Sequence, residues 1–205
     1  MTISETRPRP EREHLDAEDG DAEVQRFPGQ PDMWAFAFFE LLVFGAYFAV
    51  YLHDRVENQA SFLAAQAHLD APFGVANTLL MLTSSWAMAR CILAARQGSF
   101  ATATRWAWAT VVLGVAFMVS KIVGWVLLAH DGFGFDADAF FTYYWFFTGI
   151  HMVHLIVGLV ALGVVLYQLH SPERRSLEYI ETGAVYWHTV DLLWVLIFSL
   201  LYVVR

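Results

Sequence analysis

The sequence predicts an all-α, polytopic membrane protein built from five transmembrane helices. Three observations carry this. With 58% of its 205 residues hydrophobic and a mean hydropathy of +0.46, the chain does not have the composition of an ordinary soluble domain. Its apolar residues are grouped in runs nearly free of formal charge, and about 20 such residues in a helix cross the roughly 30 Å of a bilayer core. None of these runs alternates polar with apolar, as the strands of a closed barrel do.

The first span runs from Met33 to Tyr51 and is interrupted only by Glu40. The second, Ala71 to Ala89, contains no formal charge. The third extends from about Trp106 to Ala129 around Lys121, the fourth lies within Ala139 to Leu169, and the fifth covers about Tyr179 to Val204. The fourth run is longer than a span needs, so it tilts or projects from the bilayer.

Orientation follows from the basic residues. Arg7, Arg9, Arg12 and Arg26 in the N-terminal segment, Arg90, Arg96 and Arg105 around the second connection, and Arg174 and Arg175 in the fourth share one side. The other side holds Arg55 and Arg205. The positive-inside rule then puts the N-terminus in the cytoplasm and the C-terminus outside.

Residues 1–30, ahead of the membrane domain 31–205, contain eight acidic residues and few large apolar ones. They cannot bury enough surface to offset the cost of ordering, which predicts a disordered acidic tail rather than a signal peptide. The formal net charge of -8 argues against a nucleic-acid partner. Cys91 is the only cysteine, so no internal disulfide or thiolate metal cluster forms.

The intramembrane polar residues are the candidate functional positions, because charge at the bilayer centre is costly and is usually buried, paired or functional. His151 and His154 share one face of the fourth helix. At 1.5 Å per residue, His151, His154, His188 and Glu40 all lie in the cytoplasmic half or near the midplane, which permits them to converge. Glu181, His188 and Asp191 follow a three-four rhythm that faces protein. The stem of Lys121 is long enough to reach Asp191, and such an ion pair offsets two insertion costs. The expected arrangement is therefore Asp191 bonded to Lys121, His188 facing His151 or His154, and Glu40 buried against other helices. A proton or ion pathway through the same residues is the competing reading.

At this point a resemblance emerges. The segment "ETGAVYWHTVDLLWVLIFSLLYV" resembles the last helix of subunit III of the haem-copper oxidase family, through Glu181, Tyr186, Trp187, His188, Val190, Asp191 and Trp194. "TGIHMVHLIVGL" is similar to the preceding family helix, with Thr148, Gly149, His151 and His154. "WAFAFFELLVFGAYF" resembles the first helix of the short, five-helix form, including its carboxylate at Glu40, and "NTLLMLTSS" the next, with Asn77, Thr78 and Ser84. In the third helix the chain departs from the oxidase pattern Gln-x-x-Glu, having Lys121 and Gly124 at those positions. The Lys is similar to the NorE-like branch, accessory proteins linked to nitric oxide reductase, although that branch usually keeps the acidic residue.

The resemblance implies a V-shaped helix bundle that holds phospholipid in its cleft and binds no haem, copper or other metal itself. It implies a non-catalytic accessory subunit in a prokaryotic plasma membrane, packed against the catalytic subunit of a haem-copper oxidase or nitric oxide reductase. The family's subunits of this kind support proton uptake and the durability of the catalytic centre. Arg90, Arg96 and Arg105 are the expected contacts for a lipid headgroup. A small transporter or proton-conducting protein is the alternative, and it needs a continuous polar line through Glu40, His188 and Asp191.

Overall fold

The computed structural model describes residues 28–204. The acidic tail falls almost entirely outside the described residues. Six α-helices follow in order: α1 (Pro31–Glu57), α2 (Gln59–Gln66), α3 (Ala71–Arg96), α4 (Phe100–His130), α5 (Ala139–His170) and α6 (Leu177–Phe198). A 3-10 turn at Pro172–Arg174 precedes α6 and a π turn at Ser199–Val203 ends it. All but α2 are long and apolar enough to cross a membrane, so the number and order of spans agree with the sequence. No strand occurs among the described residues.

Local chemistry sets the helix ends. The side chains of Asp70 and Asp138 accept from the backbone N–H of Phe73 and Phe141, capping α3 and α5. Gly98 and Gly132, with φ of +73° and +88°, stop α3 and α4 in a conformation that side chains with a Cβ rarely adopt. The helices outrun the apolar spans. α1 continues to Glu57, α3 to Arg96, and α4 starts at Phe100 rather than Trp106. Hydropathy locates only the part inside hydrocarbon, whereas the backbone bonds continue through flanking Ala, Thr and Arg. At 32 residues, α5 is about 48 Å long and must tilt or project.

Helix α6 occupies the centre and is the most buried span. It packs against α1, α3 and α5. Trp187, with no exposed surface, reaches across to α4. A Cβ added at Gly114 of α4 would lie 2.6 Å from the Trp187 ring, and one at Gly158 of α5 3.1 Å from it. Both glycines therefore let their backbones approach the indole, as small residues do in membrane bundles. The indole N–H donates to Ser84 of α3 at 3.1 Å, so one side chain joins four helices.

α1 and α6 run parallel and are tied at both ends. At the N-terminal end of the bundle, Gly29 N–H donates to Glu181 and Gln30 N–H to Thr182, each at 3.0 Å. The last residues of the predicted tail are thus fixed to α6. At the C-terminal end, buried Arg55 donates to the Val204 carbonyl at 2.6 Å. Gln66 of α2 donates to the carbonyls of Leu201 and Val204 at 3.1 and 3.0 Å. These bonds satisfy carbonyls that a helix end leaves unpaired. Arg55, counted above as a basic residue of the outer side, is therefore an internal clamp.

Candidate functional site

An open groove of about 590 Å³ lies over α6, between the first half of α1 and the last half of α3. Its walls are apolar, including Ala37, Phe38 and Leu41 of α1 and Ile92 of α3, with His188 set into its α6 wall. At its N-terminal end, Arg96 donates through Nε and Nη2 to one Glu181 oxygen, both at 2.8 Å. Glu181 is mostly buried while the Arg96 side chain is half exposed. Of the three arginines expected at a lipid headgroup, only Arg96 borders this groove. Arg90 lies over the Trp106 ring at 5.7 Å, and Arg105 is exposed on the first turns of α4.

Deeper in the bundle, the Ser85 hydroxyl of α3 lies 2.6 Å from Nδ1 of His188. The same hydroxyl interacts with the Asp191 carboxylate, one turn further along α6. A serine oxygen both accepts and donates, so Nδ1–H can donate to it while its own proton goes to the carboxylate. Ser85 thereby joins α3 to the two polar residues of α6. The expected Lys121–Asp191 ion pair does not form, and His188 faces neither His151 nor His154. The physical reason is rotational: the stripe holding His188 and Asp191 turns toward α3, where a short hydroxyl at Ser85 is already within reach.

Glu40 turns away from the groove toward α5. Its carboxylate lies 3.2 Å from Nε2 of His154, and the two side chains are 16% and 18% exposed, so this pair is partly buried. His154 Nδ1 lies 2.9 Å from the Ile150 carbonyl. A carbonyl only accepts, so Nδ1 carries a hydrogen, and the contact with Glu40 requires one more proton on either Nε2 or the carboxyl. Phe44 packs edge-on against the imidazole at 5.7 Å.

Lys121 points inward from α4 and is 1% exposed. Its ammonium donates to the Tyr144 hydroxyl at 3.0 Å. It also lies over the rings of Tyr144, Trp194 and Tyr202 at 4.7, 4.9 and 5.8 Å. Aromatic faces of this kind stabilise a desolvated cation by about 2 kcal/mol, which explains how a lysine sits here with no carboxylate beside it. His151 lies edge-on to Phe117 and tilted against Trp194, and neither ring nitrogen has a protein hydrogen-bond partner. Asn77 is 1% exposed, with both amide atoms likewise unpartnered.

The residues that depth arithmetic allowed to converge are therefore divided among separate contacts: Glu40 with His154, His188 with Ser85, and His151 among aromatic rings. Among the described residues, no three His, Cys, Asp or Glu side chains come together as a metal-holding group. The line through Glu40, His188 and Asp191 that a transporter needs is broken, because Glu40 faces α5 while the other two face α3. Sequence reading missed Ser85, Tyr144 and Tyr202 in these contacts. Ser85 had the most legible signal, since it adjoins Ser84 within the quoted α3 motif. The departure at position 124 also has a steric basis: a Cβ there would lie 2.8 Å from the Phe73 ring, so an acidic side chain fits only if that ring moves.

Comparison with known proteins bears on this arrangement. The sequence model described as cytochrome c oxidase subunit III matches residues 32–204. A cytochrome c oxidase subunit 3 of Alkalihalophilus pseudofirmus is 30% identical over 173 residues, covering 82% of this chain and 83% of that protein. One from Corynebacterium diphtheriae is 26% identical over 170 residues, covering 81% and 83% respectively. A heme-copper oxidase subunit I+III of Aeropyrum pernix is 26% identical over 181 residues, which are 84% of this chain and 22% of that longer protein.

Proposed function

Because the chain belongs to the cytochrome c oxidase subunit III family, we propose that it is a non-catalytic accessory subunit of a respiratory haem-copper complex, packed in the membrane against the catalytic subunit. The observation that carries this reading is the family match across all five spans. A relative named for subunits I and III together supports a catalytic subunit as the neighbour. The internal pairing of Glu40, Lys121, His188 and Asp191 supports a role in holding the bundle in shape, since each polar group is engaged within the chain.

The bundle lies in the prokaryotic plasma membrane with its N-terminal end toward the cytoplasm. The arginines Arg90, Arg96, Arg105 and Arg175 near that end support this orientation, whereas Arg55 at the other end is buried among carbonyls. The groove between α1 and α3 takes the acyl chains of a phospholipid, with Arg96 at headgroup level. Its apolar walls and the ion pair at its mouth, with Glu181 mostly buried and Arg96 half exposed, support that use.

Lys121 favours a second reading, in which the catalytic partner is a nitric oxide reductase, as in the NorE-like branch. Purification of a tagged full chain in mild detergent, with identification of the chains that co-purify, separates the two. A haem-copper oxidase catalytic subunit supports the first reading, a nitric oxide reductase subunit supports the second, and co-purification of neither overturns both.

A further inference from the structure

At the C-terminal end of the bundle, a pocket of about 230 Å³ opens between the start of α3 and the end of α4. His68, Asp70 and Asp131 line its rim, and Tyr144 and Tyr202 line it further in. Both tyrosines are almost fully buried, at 3% and 8% exposure, so the pocket meets little more than their edges. Lys121 lies behind them, bonded to the Tyr144 hydroxyl. Tyr202 lines the same pocket beside Asp70, and its ring lies 5.8 Å from the amine. Two phenol groups thus stand between the pocket and a buried amine.

We propose that Tyr202 and Tyr144 form a proton-exchange route that makes Lys121 a proton-storing site, served from the C-terminal side of the membrane alone. Discharge proceeds without net change at either phenol. The Lys121 ammonium gives a proton to the Tyr144 oxygen as Tyr144 passes its own to Tyr202. Tyr202 releases its proton to water, His68 or a carboxylate at the rim. Recharging runs in reverse. The amine loses one positive charge and the acceptor gains one.

Toward the other side the next titratable group is His151, neither of whose ring nitrogens has a protein hydrogen-bond partner, so among the described residues no continuous line of hydrogen bonds leaves Lys121 in that direction. Beyond Lys121 lie the rings of Trp194 and Phe117, and then Trp187, which donates to Ser84. The titratable groups facing the amine are Tyr144 and His151 from α5 and Tyr202 from the π turn. From α6, Asp191 engages Ser85 instead, and Asp70 at the α3 cap lines the pocket in front of the tyrosines. The site does not depend on which catalytic subunit the chain joins.

Lys121 is the only lysine in the chain, so lysine labelled with ¹³C at Cε gives a single resonance. The full chain, without lysine in its tag, is reconstituted in sealed phosphatidylglycerol–phosphatidylethanolamine vesicles, and the pH of each compartment is varied between about 5 and 11, a range that brackets ordinary imidazole and amine titration. The resonance is expected to follow the pH on the C-terminal side and to ignore the other. A resonance that follows neither compartment, or the opposite one, overturns the proposal. Tyr202→Phe keeps the ring and removes the hydroxyl, and it is expected to slow exchange of the ammonium hydrogens with deuterated water by about tenfold or more. An unchanged rate in a folded variant overturns the tyrosine route.

Discussion

The hydroxyl of Ser85 on α3 stands 2.6 Å from Nδ1 of His188 on α6 and also interacts with Asp191. A buried ion pair broken at one partner costs about 3–5 kcal/mol, whereas hydrogen bonds between membrane helices average about 0.6 kcal/mol. Ser85 therefore sets a modest scale for the α3–α6 contact. Ser85→Ala should lower the thermal midpoint in detergent slightly. A double-mutant cycle with Asp191→Ala should give a coupling of about 0.6 kcal/mol. Additive losses would show that Ser85 does not join them.

Asp191→Ala should reduce the amount of complex recovered more than it alters turnover per complex. Co-purification yield and the activity of the purified complex check this. Normal yield with impaired proton-coupled turnover would favour a relay over a packing role.

For the partly buried Glu40–His154 pair, Glu40→Gln should be milder than Glu40→Ala. The amide still donates to Nε2, while alanine leaves that nitrogen unpartnered, a loss of about 1–3 kcal/mol for a buried polar group. Thermal unfolding in detergent should rank wild type, Gln and Ala in that order. Equal losses for both variants would mean that the hydrogen bond contributes nothing.

Gly114→Leu should be far more damaging than its chemistry suggests, because Trp187 lies where the new Cβ and the rest of the side chain must go. Overpacking of this kind typically costs about 1–3 kcal/mol. The control is Gly45→Leu, where a Cβ meets nothing within 4 Å. Equal expression and thermal midpoint for the two variants would contradict the wedge.

Arg96→Gln should weaken retention of phospholipid in the groove, read as the bound-lipid fraction in native mass spectra. Arg105→Gln, on an exposed face, should not. Equal retention in the two variants would remove Arg96 from the headgroup contact.

The five spans were legible because runs of apolar residues set by bilayer thickness survive any detail of packing. The partners of Lys121 and Asp191 were not. Depth along a helix follows from 1.5 Å per residue, but which neighbour a stripe faces depends on helix rotation, and that is set by contacts such as Trp187 between Gly114 and Gly158. Glu40 and His154 lay among the candidates, yet their pairing required knowing that this face of α1 meets α5. Arg55 and Gln66 were obscured for another reason. Polar residues beyond a span normally face water, and only the fold shows that here they hold the carbonyls of the chain's end.

The central place of α6 has a consequence for biosynthesis. The ribosome delivers α1 first and α6 last, although these two are tied at both ends. Until α6 enters the bilayer, α1 lacks its parallel neighbour and Trp187 has not yet joined α3, α4 and α5. Among the first four spans α3 and α4 already have their most extensive contact with each other, so it is α1 and the central seat of Trp187 that wait for α6. A stop codon ahead of residue 177 would remove the shared neighbour of α1, α3 and α5, rather than trim one edge.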